Sequence, residues 1–202
     1  MPLMLESLEK ALKTSLMFAK QQSECEEQKN TEIKESIKHN QRSKLWISYL
    51  AKQLLTMEQT NKQTHNLVSF FRNNTDVETR QIFNLNEFLF DIVIANMCEL
   101  NSANEKKKIT LKAIKNAEWI VESEFQANNS RALLLDINKL VIAKAKNKLF
   151  IMSLNHTETM KAWVIQTIRT LMDCENENIY LAIVPHPKDW KTKHDIEVLK
   201  IT

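Results

Sequence analysis

The stretch IKESIKHNQRSKLWISYLAKQLL, from Ile33 to Leu55, decides how the first part of the chain is read. At 100° per residue, Ile33, Ile37 and Leu45 fall on one stripe, the pattern of a helix that buries a single face. From Leu45 to Leu55 the apolar face broadens to include Trp46, Ile47, Tyr49, Leu50 and Leu54, as expected where a helix packs on several sides. His39 lies about 200° around the helix from Ile37, nearly opposite that stripe, so the spacing predicts a solvent-facing imidazole.

Working outward, residues 3 to 74 contain no proline and are dominated by Leu, Glu, Lys, Gln and Met, all good helix formers. A polar break, Glu58 to Gln63, precedes a second apolar segment with Leu67, Val68, Phe70 and Phe71. The simplest reading is an antiparallel helical hairpin, ended by the turn and cap chemistry of Asn73, Asn74, Thr75 and Asp76. Beyond it, residues 85 to 103 read as an amphipathic helix, and Lys108 to Ile114 and Trp119 to Glu124 as short strands. Asn129 to Lys146 reads as an apolar helix, Lys148 to Leu154 as a strand and Thr157 to Met172 as a helix. Ile179 to Val184 and Ile196 to Ile201 close the chain as strands, joined by a loop holding Pro185 and Pro187. The expected class is α+β: a hairpin domain at 1–76 and an α/β layer at 77–202.

The 202 residues include no glycine, where an average chain of this length carries about fourteen at the usual share of roughly 7%. That excludes chemistry resting on a glycine-rich phosphate cradle, including the P-loop, the dinucleotide fingerprint and the glycine-rich kinase loop. The apolar runs are too short to span a bilayer, and Met1 to Lys20 lacks the pattern of a signal peptide. Cys25, Cys98 and Cys174 are widely separated and odd in number, which fits a reducing cytoplasm better than a disulfide framework. With 28 basic and 25 acidic residues the net charge is +3, too balanced to mark a nucleic-acid binder. His156, His186 and His194 lack the spacing of a zinc site.

Several segments resemble the histidine-kinase superfamily. Ser36 to Leu45, with His39, then Arg42 at +3, Ser43 at +4 and Leu45 at +6, is similar to its phosphoacceptor box. Phe83 to Leu89 resembles the opening of its ATP-binding domain, and Arg131 to Leu140 the helix carrying its first asparagine, with Asn138 in that place. The pattern departs at Ile142, which stands where the kinases hold magnesium through an asparagine, and at the missing glycine motifs. It departs also in the short interval from His39 to Phe83. Those departures resemble the dimeric histidine phosphotransferases of the sporulation and alphaproteobacterial cell-cycle relays.

The resemblance implies a hairpin that dimerises into a four-helix bundle, followed by a small degenerate ATPase-like α/β sandwich. It implies a phosphorelay protein in which His39 carries a phosphoryl group between response-regulator aspartates. Arg42, Asn40, Ser43 and Lys44 would form the docking surface, since a guanidinium matches phosphoryl oxygens bidentately. No ATP or other cofactor of its own is expected; any magnesium would belong to the partner receiver domain. The expected partners are receiver domains, a hybrid histidine kinase and a second copy of the chain, with neither nucleic acid nor membrane. Asn40 stands where kinases usually place an acidic base, which argues further against autophosphorylation. Three alternatives stay open: a non-catalytic pseudo-kinase adaptor or inhibitor with the same fold, an unrelated helical interaction protein, and His39 as an ordinary surface residue.

Overall fold

A computed structural model describes residues 2–29, 35–62, 66–72, 74–83, 88–103, 109–126, 129–155, 157–190 and 195–201. Two long helices, α1 (Pro2–Lys29) and α2 (Glu35–Lys62), come first. They are followed by β1 (Leu67–Phe71), α3 (Val77–Phe83), β2 (Ile92–Asn101), β3 (Thr110–Glu124) and α4 (Ser130–Ile142). Then come β4 (Ala145–Ser153), α5 (Glu158–Leu171), β5 (Asn178–Val184), a 3-10 turn at Pro187–Asp189 and β6 (Glu197–Ile201). The six strands form one sheet in chain order, β1 to β6. The outer pairs β1–β2, β2–β3 and β5–β6 are antiparallel, while β3–β4 and β4–β5 are parallel and joined through α4 and α5.

Parallel strands are covered on both faces, and these obey the rule. On one face Leu8, Leu12, Leu16, Trp46, Leu50 and Leu54 of the two long helices bury against Ile92, Ile94, Trp119, Val121, Leu149 and Ile151. On the other, Leu133, Ile137, Leu140, Val164 and Ile168 of α4 and α5 bury against Val93, Ile120, Phe150, Leu181 and Ile183. Trp46 is 1% exposed and donates its indole N–H to Ser15 Oγ at 2.8 Å, which fixes α2 to α1 inside that layer. No helix among the described residues is long and apolar enough to cross a membrane.

The mixed class is as expected, and α5, β5 and β6 fall where the sequence pattern puts them, while α4 ends at Ile142 rather than Lys146 and β4 begins at Ala145 rather than Lys148. Three further readings differ. Leu67–Phe71 is a strand, not the second helix of a hairpin; the helix that pairs with α2 is α1, and β1 lies in register with β2 from Leu67 opposite Asn96 to Phe71 opposite Ile92. Five residues rich in Val and Phe have the composition of a buried strand, and a continuous apolar run has no period to distinguish it from a helix. Ile92–Asn101 is likewise a strand where a helix over 85–103 was expected, with Ile92 to Ala95 buried on both faces; residues 85–87 lie outside the described set. The two short strands expected at 108–114 and 119–124 are, from Thr110 on, one continuous β3, residue 108 lying outside the described set, and the pairing register slips between Ile94 and Ala95 and again between Asn96 and Met97. Because β1, within the expected 1–76 unit, is part of the sheet, the long helices are a layer on that sheet and share its core.

Candidate functional site

The expected histidine site lies at the start of α2. His39 is half-buried, its ring edge-on to that of His186 at 6.1 Å, and His186 is in turn edge-on to Phe125 at 6.1 Å. His186 Nδ1 accepts the Lys188 backbone N–H, holding the 3-10 turn. Ile37, expected on the buried stripe, is 49% exposed, so the inward face of this part of α2 is rotated relative to the sequence reading. Arg42, expected at the surface, is 6% exposed. Its guanidinium donates to Glu27 through Nε and Nη2, to Ser23 Oγ at 3.1 Å and to the Pro187 carbonyl at 2.9 Å. It thus ties α1, α2 and the loop after β5 together, a role hidden from a reading that gave α2 a different partner helix. Asn40 is exposed, and Ser43 and Lys44 are half-buried. Asn138 and Ile142 are exposed on α4. The Phe83–Leu89 motif falls partly, and His65, His156 and His194 wholly, outside the described residues.

A second cluster stands where β2 begins and β3 ends. Ile92 pairs with Val121, so Asp91, just before β2, stands opposite Glu122 one residue beyond the ladder. Glu122 and Glu124 share a face of β3 by the period of two, the face on which α4 packs. From α4, Lys139 reaches Glu122 Oε2 at 3.1 Å and Asp136 Oδ1 at 2.8 Å. Asp91 Oδ2 accepts both the backbone N–H of Ser123 at 2.9 Å and its hydroxyl at 2.6 Å. Glu124 Oε1 accepts the Gln126 N–H. The start of α4 is set by Asn129, whose side chain caps the Ala132 N–H and is held by Gln126.

The electrostatics are those of crowded acids in a low-dielectric edge. Glu122 is 1% exposed, and its Oε1 is buried without a hydrogen-bond partner among the described residues. Burial, reinforced by the charge of Asp91, pushes its carboxyl up to about 8 against the pull of Lys139. Burial also raises Asp91 and Glu124, opposed by the bonds from Ser123 and Gln126 respectively. Burial lowers the Lys139 ammonium, but bonding to Asp136 and Glu122 outweighs it and holds the group above its ordinary value.

The sequence reading expected a strand over 119–124 and a helix starting at Asn129 here, and passed over these acids. A signal was present: two acids spaced by two at the end of an apolar strand, then Asp136 and Lys139 spaced by three on the next apolar helix. Charges interrupting buried elements are rare unless paired or used. Among the described residues, no three His, Cys, Asp or Glu side chains stand as a ready-made metal-holding group. No family model, no curated protein and no solved structure matches this chain.

Proposed function

We propose that the protein is a divalent-cation-dependent hydrolase of phosphate esters, with Asp91 and Glu122 holding the cation and Lys139 facing the substrate. The observation that carries this reading is the buried, unpartnered Oε1 of Glu122 directly across the strand pair from Asp91. An orphaned buried carboxylate oxygen is costly, and a hard cation is the partner that would offset it. Magnesium is commonly held by only one or two carboxylates, with waters and substrate phosphate oxygens completing its shell. The absence of a three-ligand group is therefore compatible with such a site. When bound, the cation would lower the pKa of a coordinated water and neutralise charge on the phosphoryl group.

The chain's own residues do the rest. Glu122 must release its proton to bind the cation, which couples binding to pH. The Lys139 ammonium, shared between Glu122 and Asp136, is the positive group near an anionic substrate and would stabilise charge developing on its oxygens. This reading departs from the expectation that any magnesium would belong to a partner protein. A phosphorelay through His39 has less support: the ring stays partly open, but the Arg42 guanidinium expected to assist it is occupied by Glu27, Ser23 and Pro187.

The test is release of nitrophenolate from 4-nitrophenyl phosphate and from bis(4-nitrophenyl) phosphate at pH 8.5 with Mg²⁺ or Mn²⁺. Turnover that requires the cation and falls about 100-fold or more in Asp91→Asn and Glu122→Gln is expected. Turnover absent from the wild type, or unchanged in both variants, contradicts the reading. Acid-labile label on His39 from a phosphorylated receiver would favour the phosphorelay instead.

A further inference from the structure

The strand β1 is one edge of the sheet, with no strand beyond it among the described residues. Met97 donates its backbone N–H to the Asn66 carbonyl at 2.9 Å, so these two residues, one step beyond the Leu67–Asn96 pair, are a hydrogen-bonded pair of the antiparallel ladder. The alternation of such a ladder turns the backbone groups of Val68 and Phe70 toward β2 and those of Leu67, Ser69 and Phe71 outward. Asn74 bonds that outer side: its side-chain amide donates to the Ser69 carbonyl and its backbone N–H to the Phe71 carbonyl, both at 3.1 Å. Asn74 thus shields the Phe71 half of the edge. Toward the other end, the N–H and C=O of Leu67 and the N–H of Ser69 face outward.

An open cavity of about 290 Å³ runs along this edge. Leu67 and Val68 both line it, although consecutive strand residues face opposite sides of a sheet, so the cavity lies at the outer rim of β1 and not on either face. Lys52 and Leu55 of α2 wall it on one side, and Thr79 and Ile82 of α3 on the other. Lys52 and, from β3, Lys112 are exposed cations on its lining, whereas the Asp76 carboxylate there accepts the N–H and hydroxyl of Thr79. We propose that this edge is a docking site for an extended acidic peptide of another protein, which adds to the sheet as a further strand between α2 and α3. The outward main-chain groups of Leu67 and Ser69 bond the peptide backbone, the half-buried Leu55, Val68 and Ile82 receive alternate side chains, and the two lysines select carboxylates. The site stands apart from the carboxylate cluster, since Asp91, Glu122 and Lys139 do not line the cavity.

The experiment titrates the whole chain into three fluorescein-labelled octapeptides in which valine alternates with glutamate, glutamine or lysine. Fluorescence anisotropy reads binding, and NMR follows hydrogen exchange of the backbone amides. The glutamate peptide should bind about tenfold more tightly than the glutamine peptide and the lysine peptide more weakly than either, with the differences shrinking as salt is raised to roughly 0.5 M. Bound glutamate peptide should slow exchange at Leu67 and Ser69. Ser69→Pro removes an outward donor that β2 does not use and should weaken binding about tenfold. If that variant does not fold, Lys52→Glu combined with Lys112→Glu, both at exposed positions, should turn the preference toward the lysine peptide. No binding of any peptide, equal binding of the glutamate and glutamine peptides, or binding without protection of Leu67 and Ser69 overturns the proposal. Protection of those amides that rises with protein concentration in the absence of peptide overturns it in favour of a second copy of the chain at the edge.

Discussion

Glu122 lies two residues before the end of β3, beside the buried Val121, and its proton is held up to about 8, against an ordinary 4.5. The folded chain therefore binds a proton that the unfolded chain releases between those values. The linked stability is fully present below pH 4.5 and is lost as pH rises through 8. Unfolding free energy should fall by up to about 1.4 kcal/mol per pH unit across that window. Glu122→Gln should flatten the dependence, because the amide cannot titrate. Urea unfolding at pH 5, 6.5 and 8 checks this, and the same slope in wild type and Glu122→Gln would contradict it. Periodicity could not expose this residue: a helix or strand pattern counts apolar positions, and the meaning of Glu122 lies in its opposition to Asp91, thirty-one positions earlier in the chain.

At the level of elements, strands and helices with clear ends were legible and continuous apolar runs were not. α5 has an amphipathic period and a Thr157 cap on the Met160 N–H, and it falls where the sequence puts it. Leu67–Phe71 and Ile92–Ala95 are buried on both faces, so neither a period of two nor one of 3.6 survives in them. Misreading β1 as a helix then gave α2 the wrong partner, and this is why Arg42 was assigned to solvent. Its actual position joins three elements through Glu27, Ser23 and Pro187. Arg42→Ala should leave the Glu27 carboxylate and the Pro187 carbonyl without their donor and destabilise the fold by about 3 kcal/mol. Urea denaturation measures it; a loss below about 0.5 kcal/mol would place the pair among weak surface contacts.

For the whole molecule, the long helices behave as one of three layers, and their broad apolar face is buried on the sheet of the same chain. A four-helix bundle built through that face would require them to leave the sheet; a dimer through other surfaces would not. The described core predicts that a chain lacking residues 1–62 cannot fold, because Ile92, Ile94, Trp119, Val121, Leu149 and Ile151 would lose their cover. Circular dichroism and dye binding on the 63–202 fragment should report a loosely packed or aggregated species, whereas a cooperative, sharply unfolding fragment would show the helices to be dispensable.

The carboxylate site depends on both other scales: single residues opposed across β2 and β3, and the α4 layer that brings Lys139 to them. The most direct measurement is calorimetric titration of wild type and Asp91→Asn with Mn²⁺ at pH 8.5, above the Glu122 proton. The wild type should show saturable binding, and Asp91→Asn, folded to the same stability, should bind about tenfold or more weakly. No binding by the wild type, or equal binding by the two, would contradict the assignment of this cluster as a cation site.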